Sequence, residues 1–100
     1  MIITLSPMAG LPPLTLSRAG DTLVFNGDPV DFSAIPEGGV LPLDSAPVSW
    51  IASDVTRVSG EITLTIFLPH GPDAPEATRF PVPLDVSGDG EIALPPFAAP

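Results

Sequence analysis

The chain has no cysteine, no lysine and no tyrosine in its 100 residues, and only one histidine and one tryptophan. Without cysteine, disulfides, thiolate metal sites and cysteine nucleophiles are excluded, and the redox compartment is left open. Without lysine, only Arg18, Arg57 and Arg79 oppose 12 acidic residues, and the net charge is −9. A basic footprint that could neutralise phosphates is missing, which argues against nucleic-acid binding and against anionic membrane surfaces. Charge of either sign is scarce, at 15% of residues against the usual quarter or so. The surface must therefore be built largely from Ser, Thr, Pro, Gly and Ala, and a domain of this kind often leaves apolar area for a partner or for copies of itself. No apolar run approaches the length of a membrane span. The first residues, MIITLSPMAGLPPL, lack the basic start of a secretory signal and are broken by Pro7, Pro12 and Pro13, so the expectation is a soluble protein made in the cytoplasm.

What is present is apolar content without helical room. Hydrophobic residues make up 44%, too many for disorder, yet 15 prolines and 9 glycines punctuate the chain. Only residues 48–59 run for more than ten positions without Pro or Gly, so long helices are not expected. Short alternating runs rich in Thr, Val, Ile, Leu and Phe recur between turn dipeptides, which is the pattern of an all-β domain. The length suits one domain over residues 1–100. The expected fold is a small antiparallel β-sandwich or barrel of about seven short strands with proline-rich loops.

The strands can be placed. Residues 2–5 read as a first strand capped by Pro7. A two-residue turn at Ala19-Gly20 would set Leu16 opposite Leu23 and Leu14 opposite Phe25. A second turn at Asn26–Pro29 would set Val30 opposite Phe25 and Phe32 opposite Leu23. All six apolar side chains then share one face of a meander, with Thr15, Val24 and Asp31 on the other. Residues 34–47 read as a loop with room for one short helical turn. Residues 48–58 read as a long strand, Ser59-Gly60 as a turn and residues 61–68 as its partner, with Ile62, Leu64, Ile66 and Leu68 on one face. Trp50 and Phe67 suggest partial cover on the other. Residues 82–86 and 91–94 read as a last hairpin across residues 87–90, so that residues 85–100 hold this hairpin and a proline-rich tail.

Candidate chemistry is sparse. In DVSGDGEI, Asp85, Ser87 and Asp89 match the first three oxygen positions of an EF-type calcium loop, Gly90 its glycine and Ile92 its apolar position. The twelfth position is Pro96, which has no carboxylate, and no helix can follow Pro95-Pro96. The stretch therefore reads as a polar turn with an acidic tip, and no metal or other cofactor is expected. His70 lies between Pro69 and Gly71 with no nucleophile elbow around any serine. Asp73 and Glu76 follow it at ligand-compatible spacing, but a proline loop with one imidazole makes a poor metal site. PEGGV lacks the lysine of a phosphate loop. No enzymatic activity is expected. The long loop PHGPDAPEATRFP is instead a candidate contact loop, since long loops are often functional. His70, Pro72, Pro75 and Arg79 in that loop, with Phe97 in the tail, are the expected interaction residues. With so few cations, each arginine is expected to pair with a carboxylate and pin a loop or interface.

Three stretches, MIITLSP, GDTLVFNGDPVDFSAIPEG and FLPHGPDAPEATRFPVPL, together resemble small acidic proteins encoded among the tail genes of tailed bacteriophages and prophages. The resemblance covers most of the chain but not MAGLPPL or the Ala-rich end, and it supplies no catalytic residues. It implies a virion protein made in the host cytoplasm, docked in an oligomeric assembly on tail-tip or tail-fibre proteins. A capsid decoration protein asks for the same stable β module. A third reading, a calcium-stabilised adhesion or carbohydrate-binding module, would rest on residues 85–91 and Trp50.

Overall fold

Alternating side chains close into two sheets in a computed structural model, which describes residues 1–72, 76–79 and 81–95. The strands are β1 (Ile2–Ala9), β2 (Leu16–Ala19), β3 (Thr22–Phe25), β4 (Asp28–Asp31), β5 (Val40–Leu41), β6 (Val55–Val58), β7 (Glu61–His70), β8 (Leu84–Asp85) and β9 (Gly90–Ile92). One sheet runs β5-β6-β7-β1-β8 and the other β4-β3-β2-β9. Helical structure among the described residues is limited to a 3-10 turn, Leu43–Ser45, and one short helix, α1 (Glu76–Arg79). The expected all-β sandwich is the observed architecture, and the single short helical turn in residues 34–47 is present.

The core lies between the sheets. Ile3, Leu5, Ile62, Leu64, Ile66 and Leu68 face it from the five-stranded sheet, and Leu16, Leu23, Phe25 and Val30 from the four-stranded one, with Phe32 just beyond β4. Phe25, Leu23, Ile3 and Ile66 are wholly buried. Each such side chain contributes about 1.5–3 kcal/mol relative to its exposed state.

The β2–β3–β4 meander keeps the expected faces but not the expected register. The first turn lies at Gly20-Asp21, so Leu16 faces Phe25 and Arg18 faces Leu23. The second is Asn26-Gly27 alone, so Leu23 faces Val30 and Phe25 faces Asp28. Asn26 and Gly27 both take positive φ, 49° and 90°, the type I′ geometry whose twist matches the flanking strands. Both registers are shifted by two residues, and a shift of two returns every side chain to its own face. Leu16, Leu23, Phe25, Val30 and Phe32 are accordingly buried, while Leu14 is partly buried at the rim.

β1 does not stop at Pro7 but continues to Ala9, and it pairs with β7 in parallel from Ile2↔Thr63 to Ala9↔His70. Met1 donates to Val86 O at 2.9 Å and accepts from Val86 N at 2.8 Å, so odd-numbered residues of β1 turn their backbone groups away from β7. Pro7 is one of these, and its missing N–H breaks no bond to β7.

The long strand expected over residues 48–58 is broken. Trp50 O and Ala52 N bond Phe67 N and Thr65 O at 2.9 and 2.8 Å, and Ile51 bridges Ile66, but β6 proper begins at Val55. Between Ile51↔Ile66 and Thr56↔Thr63 the first strand spends two more residues than its partner, a bulge at Ser53-Asp54. The Ser53 hydroxyl accepts the Thr65 N–H at 2.8 Å where the ladder has lost its carbonyl. β6 and β7 then meet at Ser59-Gly60, with φ of 53° and 77°, as expected. Both turn N–H groups donate to the Glu37 carboxylate, at 2.7 and 2.5 Å.

The last expected hairpin does not form. β8 pairs with β1 in the five-stranded sheet and β9 pairs with β2 in the other. Residues 86–89 are therefore a corner at which the chain changes sheets.

Candidate interaction surface

The parallel β1–β7 pair carries two chain segments to the same end of the sandwich. Beyond Ala9 the chain enters Gly10–Pro13, and beyond His70 it enters Gly71-Pro72. These two segments together line a shallow cleft of about 650 Å³. Leu11 and Pro12 continue into a second cleft of about 350 Å³ with Asn26, Asp28, Ser49 and Trp50. Pro13 and Leu14 continue into a third, of about 310 Å³, with Leu68, Pro69 and residues 91–95. The segment 10–14 thus sits at the centre of a proline-lined end that carries few charges.

Local chemistry fixes this end. Pro12 and Pro13 have preset φ and no N–H to donate to a ladder, so the segment does not extend β1. It is held by Asn26, whose Oδ1 accepts the Thr15 N–H at 2.7 Å and the Thr15 hydroxyl at 3.1 Å, and whose Nδ2 donates to Pro13 O at 3.2 Å. On the β7 side Pro69 and Gly71 are buried and His70 is half-buried, with Nδ1 3.1 Å from Gly71 O. That contact closes the turn after β7.

The expected interaction residues divide accordingly. His70 and Pro72 line the 650 Å³ cleft. Pro75 and Phe97 lie outside the described residues, as does the side chain of Arg79, whose backbone ends α1. Leu11, Pro12 and Pro13 were not singled out from sequence. The available signal was a Pro-Pro pair between two strand-forming runs, which the chain has to pass at an end of a sheet.

The Asp85–Ile92 stretch serves the sheet corner. Asp89 accepts the Gly20 N–H at 2.9 Å. Val86 O receives Arg18 Nη1 at 2.7 Å as well as the Met1 amino group. The same amino group forms an ion pair with Glu61, and this bond and the ammonium charge hold the Glu61 carboxyl below its ordinary value. Asp31 is likewise lowered, by the Ser33 backbone N–H at 2.8 Å and the Ser33 side chain. Among the described residues Arg18 forms no ion pair with a carboxylate and bonds carbonyls instead, its Nε reaching Gly20 O at 2.8 Å, while its charge adds a smaller lowering of Glu61. Arg57 does take a carboxylate, that of Asp21, at 2.9 Å. Among the described residues no group of three or more His, Asp or Glu is placed to hold a metal ion, and no helix is long and apolar enough to cross a membrane.

Comparison with protein-family models, with curated proteins and with solved structures finds no match to this chain.

Proposed function

We propose that this chain is a non-enzymatic structural protein of a bacteriophage particle, docking on tail-tip or tail-fibre proteins through the proline-lined end of its sandwich. The observation that carries the reading is the convergence of residues 9–13 and 70–72 on one weakly charged surface. Proline segments are already stiff, so docking them forfeits little conformational entropy. Most of the remaining surface belongs to a chain of net charge −9, which disfavours contact between acidic copies and leaves this end the better place to join a neighbour. The placement in a phage tail rests on the resemblance of the three stretches quoted above.

The test is cross-linking in intact particles, using a carboxylate-directed reagent because the chain has no lysine. Cross-links from Glu91, beside the third cleft, to a tail-tip or fibre protein are expected. Replacement of the exposed Pro12 by Asp should abolish incorporation while leaving the melting temperature of the free protein unchanged. Absence of the chain from purified particles by mass spectrometry, with recovery as a free monomer, would overturn the proposal. Cross-links to capsid proteins alone would overturn the tail assignment.

A further inference from the structure

Of the clefts at the proline-lined end, one brings the single tryptophan together with the exposed Asp28 and Ser49. It measures about 350 Å³ and is lined by Leu11, Pro12, Asn26, Asp28, Ser49 and Trp50. Trp50 is half-buried, packed on the core, and also forms part of this wall. Its place is fixed from behind, because Trp50 O accepts the Phe67 N–H at 2.9 Å.

We propose that this cleft is a saccharide-binding subsite for a neutral pyranose. The polar groups select for hydroxyls. The Asn26 side chain is committed to Thr15 and Pro13 and forms a fixed wall. Asp28 and Ser49 are exposed, and among the described residues neither side chain has a hydrogen-bond or ion-pair partner. A carboxylate only accepts, so its complement is a ligand rich in donors, as the vicinal hydroxyls of a sugar are. An indole face carries the negative side of the ring quadrupole and suits the polarised C–H face of the same ring. A proline-rich peptide could stack on Trp50, but proline brings no donor to Asp28. Uronic and sialic acids are disfavoured by the Asp28 carboxylate and by the net charge of −9. The volume lies at the small end of ligand pockets, in keeping with one ring rather than a length of chain.

Because the chain has a single tryptophan, its tryptophan fluorescence comes from Trp50 alone and is read under native conditions. Glucose, galactose, mannose, their N-acetylated amines and short oligomers of each would be titrated into the whole protein, with glucuronate as the charged control. A saturable change with a midpoint on the order of 1–10 mM is expected for at least one neutral sugar, with none for glucuronate. Asp28→Ala should raise that midpoint about tenfold, the loss of a hydrogen bond to a charged group. Ser49→Ala, scored in the same way, stands in should Asp28→Ala fail to fold. No saturable response up to about 100 mM across the panel, an unchanged midpoint in the folded variant, or saturation only by a proline-rich peptide would each overturn the proposal.

Discussion

Arg57 offers a direct test of what ties the 32–39 segment to the five-stranded sheet. From β6 its Nε donates to Ile35 O at 2.7 Å, while Nη2 donates to Phe32 O at 3.2 Å and to the Asp21 carboxylate at 2.9 Å. The Arg57 side chain is 15% exposed and that of Asp21 36%. An ion pair with one partner this open to solvent contributes about 0.2–1 kcal/mol. Hydrogen bonds from a charged donor contribute about 1.5–3 kcal/mol each, less where water can replace the donor. Arg57→Ala is therefore expected to cost about 3 kcal/mol, two such bonds partly offset by hydration of the freed carbonyls. For a domain of this size that lowers the melting temperature by roughly 12–24 °C. Asp21→Asn should cost under about 1 kcal/mol, and the double-mutant cycle should return a coupling of similar size. Arg57→Lys should resemble the alanine variant, because a single ammonium cannot span three acceptors laid out for a fork. Urea unfolding followed by Trp50 fluorescence measures the parent and all four variants. A cost for Asp21→Asn equal to that of Arg57→Ala, or loss of most of the Arg57 effect in salt on the order of 1 M, would show that the ion pair, not the carbonyl bonds, holds this segment.

Two further outcomes follow from the bulge and from the Met1 amino group. Ser53→Ala leaves the Thr65 N–H without its acceptor at the break in the ladder, and should cost about 1–3 kcal/mol in urea unfolding with an unchanged m-value. Glu61 is held below its ordinary value of 4.5 in the folded state, first by its hydrogen bond to the Met1 ammonium and then by that charge. A group lowered in this way adds stability above its unfolded value and loses it as pH falls through the folded one. Glu61→Gln should therefore be less stable than the parent near neutral pH, converge with it in strong acid, and show a shallower acid limb in melting temperature against pH.

How much of this was legible in the sequence depends on what each element answers to. The inward faces of β2, β3, β4 and β7 were readable because strand periodicity is two and burial obeys it. The register was not, because Ala19-Gly20 and Gly20-Asp21 are both acceptable turns and burial cannot distinguish slips of two. Residues 48–58 misled for a related reason: Ser53-Asp54 is no turn dipeptide, yet the Ser53 hydroxyl can stand in for a backbone carbonyl and permit a bulge. The last hairpin failed more deeply. DVSGDGEI is a good local turn, and what overrides it is distant: β1 and β2 each offer an unpaired edge at this corner, with Arg18 and the Met1 amino group converging on Val86 O. The parallel partnership of β1 and β7 leaves no local trace at all. The site followed the same division. His70 and Pro72 could be placed together at one surface because they stand in one proline loop. Leu11 and Pro12 come to matter only when β1 ends beside β7, and Asp28 comes beside Trp50 only through the β3–β4 turn.

The β1–β7 pair also sets the order of events in folding. Ile2 lies beside Thr63 and Ala9 beside His70, so every contact in that seam joins positions about sixty residues apart. The β2–β3–β4 meander and the β6–β7 hairpin can form from neighbouring residues, but β1 has no partner until the chain has been made beyond its midpoint. Contacts of such separation are made late and slowly, on the scale of milliseconds to seconds for β-rich domains. Until then the apolar side chains of Ile3 and Leu5 remain uncovered, and a nascent or heated chain would be most prone to aggregate through its own first strand.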